Sequence, residues 1–336
     1  MFLTVAICTR DRADQLSRTL ESLAALEVPA GLGWELLIVD NGSTDHTRPT
    51  VASFEGRLPV RCIVEPQPGL SHARNSAVQA ARGDYIVWTD DDVLVDAGWL
   101  AAYGRAFAAN PECVFFGGPI TPSLQGQTPA WFLENWSELS SILAERDFGA
   151  QSLTLSKEEG RLPFGANFAV RAREQRLHRF DPELGVAPGQ RRLGEETAMF
   201  LDLIADGATG IYVPQARVVH VIAQSRQSLD YVGRYRQAVG QTWAFLSEEH
   251  RENFMGPSPR AQHGLFGVPL SVLVRVVAHC VLYALERPLR PSDRWLSHWM
   301  KYNFYRGAIQ HWRGHRPTPL VALSPPWYSA GHPRGA

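Results

Sequence analysis

Three consecutive acids, Asp90, Asp91 and Asp92, follow directly on the apolar run 85–89. Carboxylates held that close repel one another unless a cation sits among them. Hard divalent ions such as Mg²⁺ or Mn²⁺ take oxygen ligands, and Mg²⁺ commonly uses one or two carboxylates with substrate phosphates completing its shell. Asp90 and Asp92, two apart, reach one face of a tight turn, while Asp91 faces the other way. The same three residues also suit a solvated turn. Asp40 closes another apolar run and opens the turn Asn41-Gly42-Ser43. Its carboxylate can accept hydrogen bonds from a nucleobase N–H or a ribose hydroxyl, or simply serve the turn. Arg74 and Asn75 lie in a helical pattern opened by Pro68-Gly69, and a helix N-terminus suits anions. Arg74 equally suits a salt bridge. Glu195 and Glu196 open an amphipathic helix, where the macrodipole favours acids in any case. His220 ends a valine-rich run as a metal ligand or a packed residue. Gly165 and Ala166 permit close backbone approach to a ligand, and Asn167 can hydrogen-bond a sugar. Trp131 and Trp136 can pack on sugar faces or in a core.

These residues need elements to hold them. Short apolar runs at 3–8, 34–39, 60–64, 85–89 and 113–117 alternate with helical patterns from 13, over 70–81 and over 96–108. That alternation implies βαβ units and a mainly parallel sheet with buried strands. Ligands of such sheets bind at the carboxyl ends of the strands, where Thr9, Asp40 and Asp90 to Asp92 fall. Residues 121–160 have weak periodicity and read as a long insertion over one edge of the site. Residues 193–207 read as a helix, 211–221 as one strand and 229–246 as a helix.

Composition excludes several classes. The 336 residues are 45% hydrophobic and 20% charged, with ample material for a core, so the chain is neither disordered nor fibrous. Four cysteines without a CxxC pair rule against a disulfide framework or a cysteine zinc site and fit a reducing compartment. A net charge of −1 gives no global field for nucleic acid, and none is expected as a partner. The balance is uneven: from Glu286 onward eight Arg and Lys stand against two acids. No glycine-rich phosphate loop follows the first run, which counts against a sugar nucleotidyltransferase. The G-x-G-x-x-G of a dehydrogenase and the P-loop are both missing. A non-catalytic nucleotide-sugar-binding module is the alternative from another class.

In order and spacing, VAICTRDR (5–12), LLIVDNGSTD (36–45), PGLSHARNSAVQAARGDYIVWTDDD (68–92), PFGANFAVR (163–171), GEE (194–196) and the strand ending at His220 resemble the family-2 glycosyltransferases of the GT-A fold. The resemblance spans about the first 220 residues. It implies a Rossmann-like, mainly parallel α/β sheet flanked by helices, with a nucleotide-binding half (1–120), an acceptor half carrying the catalytic base (121–225) and a helical C-terminal extension (226–336). It further implies an inverting, metal-dependent transfer of one sugar from a nucleoside-diphosphate sugar to a hydroxyl acceptor in glycan or polysaccharide biosynthesis. Thr9, Arg12, Asp40, Arg74, Asn75, Asp90, Asp91 and Asn167 would contact the donor, with UDP as the expected nucleotide. Asp92, Asp90 and His220 would hold Mn²⁺ or Mg²⁺. Glu196 takes the place of the family's catalytic base, as Glu rather than Asp, with Glu195 as the fallback. Arg10 departs from the aromatic residue common at its position, although a guanidinium can still stack on a base. Processive synthases of the family carry several transmembrane helices and a Gln/Arg-rich Trp motif. GRYRQAVGQTW (233–243) is at most a distant echo of that motif, so one sugar per encounter is expected.

The apolar run 265–285 is nearly long enough to span a bilayer, but Pro269, Arg275 and His279 argue against a lipid-facing span. With the Arg- and Trp-bearing stretch after it, an interfacial helix is the first reading, ahead of core packing and a true span. The N-terminus has no signal-peptide pattern. The expectation is a cytoplasmic protein, in peripheral contact with the inner face of the plasma membrane, acting on a glycan or lipid-linked acceptor.

Overall fold

The structure, a computed structural model, describes residues 1–189, 192–249, 251–258, 264–265 and 267–314. The end of the basic tail, 315–336, lies outside these. In chain order the elements are β1 (Phe2–Thr9), α1 (Ala13–Ala24), β2 (Gly33–Asp40), α2 (Thr47–Ala52), β3 (Val60–Val64), α3 (Leu70–Ala80), β4 (Tyr85–Thr89), β5 (Val93–Val95), α4 (Trp99–Ala109), β6 (Phe115–Gly117) and β7 (Ile120–Leu124). Then come α5 (Ala130–Glu134), α6 (Trp136–Leu139), a 3₁₀ turn (Ser140–Leu143), β8 (Asn167–Arg171), α7 (Ala172–Leu177), α8 (Glu195–Ala205), β9 (Gly210–Tyr212) and β10 (Val218–Ile222). The C-terminal part holds α9 (Leu229–Glu248), the short pair β11 (Gly264–Leu265) and β12 (Val268–Pro269), α10 (Leu270–Glu286) and α11 (Ser292–Gly314).

Seven strands form one sheet in the order β3-β2-β1-β4-β8-β6-β9. All its ladders are parallel except the two made by β8, which runs antiparallel between β4 and β6. The mainly parallel expectation therefore holds, with one reversed strand inserted. Both faces are covered by apolar clusters: Leu16, Leu20, Trp99 and Tyr103 pack one, and Ala73, Ala77, Phe180 and Phe200 the other. This is why β1 and β2 read as unbroken apolar runs rather than alternating ones.

A second sheet, β5-β10-β7, sits where chemistry is expected. Residues 211–221, read as one strand, are two, and they lie in different sheets. Pro214 cannot donate a ladder hydrogen bond, and the chain turns there, with Ala216 N donating to Val213 O. The helix expected over 96–108 begins at Trp99 because Asp96 makes a turn, its Oδ1 accepting from Gly98 N. The insertion over 121–160 supplies β7 and a run of short helices, 130–143. Trp131 from this run meets Trp295 at 6.2 Å between ring centroids, in a cluster that also holds Phe132, Leu139 and Leu296.

The extension is a helical hairpin on a long helix. Gly240 faces the carbonyl of Phe304 and Gly307 faces that of Gln237, so α9 and α11 lie backbone to backbone. Of α10 only Val272 is buried. No described helix is long and apolar enough to cross a membrane. A methyl group at Gly240 would collide with Phe304 O. Gly240→Ala is therefore expected to cost at least ~1–3 kcal/mol by overpacking, read as a fall in the urea midpoint with the far-UV signal of the sheet domain retained.

Candidate active site

The loops at the carboxyl ends of β1 and β2 brace each other. Asp11, at φ +51°, accepts from Thr44 N at 2.7 Å, while Asp45 accepts from Ala13 N at 3.1 Å. Asn41 accepts from Gly69 N and donates to the carbonyls of Glu65 and Gln67, which fixes the start of α3. The turn after β4 is held by backbone: Val221 N donates to Asp92 O, and β10 pairs antiparallel with β5 in the register His220 to Val93. That register sets His220 beside Asp92, residues far apart in the chain. Thr89 Oγ1 donates to Ala166 O and so ties the loop 163–166 to the same strand end.

Asp91 turns inward, as alternation predicts. It accepts from Thr9 Oγ1 at 2.8 Å and pairs with Arg12 at 2.7 Å. Burial pushes Asp91 up to about 7 in spite of Arg12. Asp92 meets Arg12 at 2.6 Å and Arg226 at 3.0 Å through Oδ2, while Oδ1 faces His220 Nε2 at 3.5 Å. Burial alone would raise Asp92, but His220, Arg12 and Arg226 outweigh it and hold it well below the usual carboxylate range. His220 Nδ1 lies 2.8 Å from Leu143 O and must donate to it. Arg226, which can only donate, is 3.2 Å from Nε2. With Nδ1 held by that carbonyl, Nε2 is the ring nitrogen turned to Asp92, the orientation a metal-ligating histidine needs. Asp92 Oδ1 and His220 Nε2 fit two positions of a divalent cation's shell. Among the described residues no group of three or more His, Cys, Asp or Glu side chains converges into a complete protein cage, so water or a substrate would complete the shell.

Arg74 projects from the inner face of α3 and is 4% exposed. It donates to Glu195 at 2.8 Å and stands 3.8 Å from Glu196 and 3.7 Å from Asp90. Phe180 packs against its guanidinium at 5.3 Å. One cation thus joins the acids after β4 to the acids opening α8. Burial, then the neighbouring Glu196, push Glu195 up against the pull of Arg74. Glu195 is closed off by this pairing, whereas Glu196 stays partly open. A Cβ at Gly165 would stand 2.8 Å from the Arg74 guanidinium, so only glycine lets that loop approach. Gly194, before α8, sits at φ +94° with no room for a side chain against Phe254.

One cleft of about 900 Å³ is lined by Thr9, Arg12, Arg74, Asp90, Asp91, Asp92, Glu195, Glu196 and His220 together. Three expected contacts are not on it. Asn167 is wholly buried. It accepts from Trp99 Nε1 and Tyr103 Oη and donates to the carbonyls of Pro119 and Ala216, so its amide is spent on the core. Asn75 exchanges two hydrogen bonds with the backbone of Phe180 and anchors that segment instead of a ligand. Asp40 lies beneath the surface, accepting from Ser43 N through Oδ1. Its Oδ2 is 3.1 Å from Arg48 but has no hydrogen bond among the described residues. Trp131 and Trp136 are likewise off the cleft; they pack the insertion, Trp136 donating to Glu145. The apolar wall comes instead from Phe164, Tyr235, Val239, Phe254 and Met255. Arg226 and this wall were missed. The only local signal for the wall is Gly194, whose left-handed backbone leaves space for Phe254.

The mixed sheet with its flanking helices is that of the GT-A fold, with the acid-lined cleft at its strand ends. The model of glycosyl transferase family 2 matches residues 4–151 of the chain. The succinoglycan biosynthesis protein ExoM of Rhizobium meliloti is 26% identical over 256 residues, 74% of this chain and 76% of that one. The glucosyl-dolichyl phosphate glucuronosyltransferase of Haloferax volcanii is 26% identical over 239 residues, 69% and 73% of the two chains. Among solved structures, the mannosyltransferase PcManGT of Pyrobaculum calidifontis, in complex with GDP-Man and Mn²⁺, superposes with a TM-score of 0.56. It is 18% identical, over 92% of this chain and 86% of that one. TarS 1–349 of S. aureus with UDP gives a TM-score of 0.51 at 15% identity, over 94% and 92%.

Replacing Arg74 by Met would strand the Glu195 carboxylate in the interior, at a cost of about 3–5 kcal/mol. Adding Glu195→Gln should recover a large part of that loss. Urea denaturation of the single and double variants measures both values.

Proposed function

We propose that the protein moves one sugar from a nucleoside-diphosphate sugar to a hydroxyl group of a glycan or lipid-linked acceptor, by a single displacement that inverts the anomeric carbon. One observation carries this reading. Glu196 and the Asp90–Asp92 turn open into the same cleft, with Arg74 between them. A base on one side and a diphosphate grip on the other are what in-line displacement requires.

The residue roles follow from the contacts. Glu196, partly open and facing Gly165, takes the acceptor proton as the oxygen attacks. Glu195 stays bound to Arg74 and sets the position of α8. Arg12 and Arg226, already in the cleft, can turn to the departing phosphates. Asp92 and His220, with Asp90 beside them, would hold a divalent cation; bound Mn²⁺ or Mg²⁺ would supply Lewis-acid stabilisation of the leaving diphosphate. UDP is the proposed carrier. ExoM by its name takes part in succinoglycan biosynthesis, and the Haloferax enzyme by its name acts on a glucosyl-dolichyl phosphate. Both support a polysaccharide or lipid-linked acceptor for this chain.

The same reading includes contact with a lipid surface at the inner face of the plasma membrane. Leu270, Val274, Val277, Val281 and Leu285 are exposed at helical spacing along α10 and make one apolar stripe. Arg287, Arg290 and Arg294 stand exposed just beyond it, against two acids, Glu286 and Asp293. An apolar stripe with adjacent cations suits the headgroup layer of an anionic bilayer. Val277→Ser with Val281→Ser should cut flotation with phosphatidylglycerol-containing vesicles several-fold, and unchanged flotation would remove the membrane reading.

For the reaction, Glu196→Gln should lower transfer by ~10²–10⁴-fold while nucleotide affinity, measured by calorimetry, is retained. A screen of UDP-, dTDP- and GDP-sugars with and without EDTA identifies the donor and the metal requirement. Unimpaired transfer by the Glu196 variant would refute the role given to Glu196.

A further inference from the structure

A second cavity, of about 490 Å³, opens beside the cleft between the turn at 137–142, α9 and α11. It shares Tyr235, Val239, Phe254 and Met255 with the cleft, so the two are parts of one hollow. Two cations line it, the half-buried Arg236 and the exposed Lys301. Arg236 Nε is buried without a hydrogen-bond partner, and no ion pair to either cation forms among the described residues. Phe304 lies 5.5 Å from the Arg236 guanidinium on its buried side. Glu138 lines the same cavity but stays beyond ion-pair distance of both. Ser137, Ser141 and Ser297 add hydroxyl groups to the wall.

Arg236 is half-buried with its Nε shut off from water, and such a group gains when a counter-ion arrives. Burial lowers its proton affinity, but an arginine remains charged at neutral pH. Two unpaired cations and hydroxyl groups around one hollow make a receptor for a compact, multiply charged oxyanion. The fork of Arg236 can bind two oxygens at once, and Lys301 adds a point charge. Tyr235, the neighbour of Arg236 on α9, lies within electrostatic reach of Glu196. Tyr235 lines both hollows, so an anion held at Arg236 would stand in a space continuous with the cleft that Glu196 lines.

We propose that this cavity binds the phosphate or diphosphate group of the acceptor and so delivers the acceptor hydroxyl to Glu196. The proposal rests on the glycosyl-transfer reading, which it deepens by assigning the acceptor's charge. It also explains why the extension closes over the cleft: without α9 and α11 there is no second cavity.

The test uses the full chain with its donor cleft filled by excess UDP. Inorganic pyrophosphate and, in a parallel arm, farnesyl diphosphate in detergent micelles are titrated by calorimetry. Arg236→Gln with Lys301→Gln should weaken both by roughly tenfold or more, the value of one or two charge-assisted hydrogen bonds, with UDP affinity unchanged. Tighter binding of the prenyl compound assigns a lipid-linked acceptor; equal binding assigns a water-soluble phosphorylated one. Lys301→Glu, at an exposed position, gives the same readout if the Arg236 variant does not fold. Pyrophosphate affinity unaltered in both variants would overturn the proposal. Loss of pyrophosphate binding in a protein that binds UDP but transfers no sugar would instead leave the subsite standing and refute the reaction.

Discussion

Arg74 is buried among three carboxylates that come from distant parts of the chain. A cation in that position costs several kcal/mol to desolvate and recovers the cost only when its partners are held at contact distance. Much of the surrounding architecture does that holding. Asn41 fixes the start of α3, from which Arg74 projects. Ser71 and Asn75 on the same helix grip the carbonyl of Leu184 and the backbone of Phe180. That segment leads to Gly194 and Glu195, and Gly165 leaves the gap the guanidinium fills. The two halves of the cleft are coupled electrostatically through this side chain, so geometry on the acid-turn side and on the base side cannot vary independently.

Around Asp92 the same logic runs with the signs exchanged. One carboxylate is surrounded by Arg12, Arg226 and His220. Arg12 also pairs with Asp91, so two guanidinium groups face two aspartates and charges of both signs line this side of the cleft. The extension completes the enclosure by placing an apolar wall of Phe254, Met255 and Val239 next to Glu196. Such a wall lowers the local dielectric and strengthens the charge interactions within the cleft.

The GT-A plan was legible from strand and helix alternation together with the motifs between 5 and 220, and the family match and the fold bear it out. The individual contacts were less so. Asn167 and Asn75 sit inside the expected motifs yet spend their amides on the scaffold, because a buried amide must satisfy its own hydrogen bonds before it can serve a ligand. The one reversed strand, β8, could not be foreseen from an apolar run, since such a run carries no direction. Splitting 211–221 needed the break at Pro214 to be given more weight than its hydrophobicity.

What the sequence determined by itself is chemical: which segments are apolar enough to be buried strands, and which short stretches carry acids, arginines and glycines where strands end. Those are local properties, written in residue type and period. Only the tertiary structure decided which charges meet. His220 reaches Asp92 through an antiparallel register, Arg74 reaches Glu195 across 121 positions of chain, and Arg236 on α9 has no ion pair among the described residues. Such pairings arise from the closing of the fold, where desolvation and contact distance act together, and no spacing along the chain encodes them.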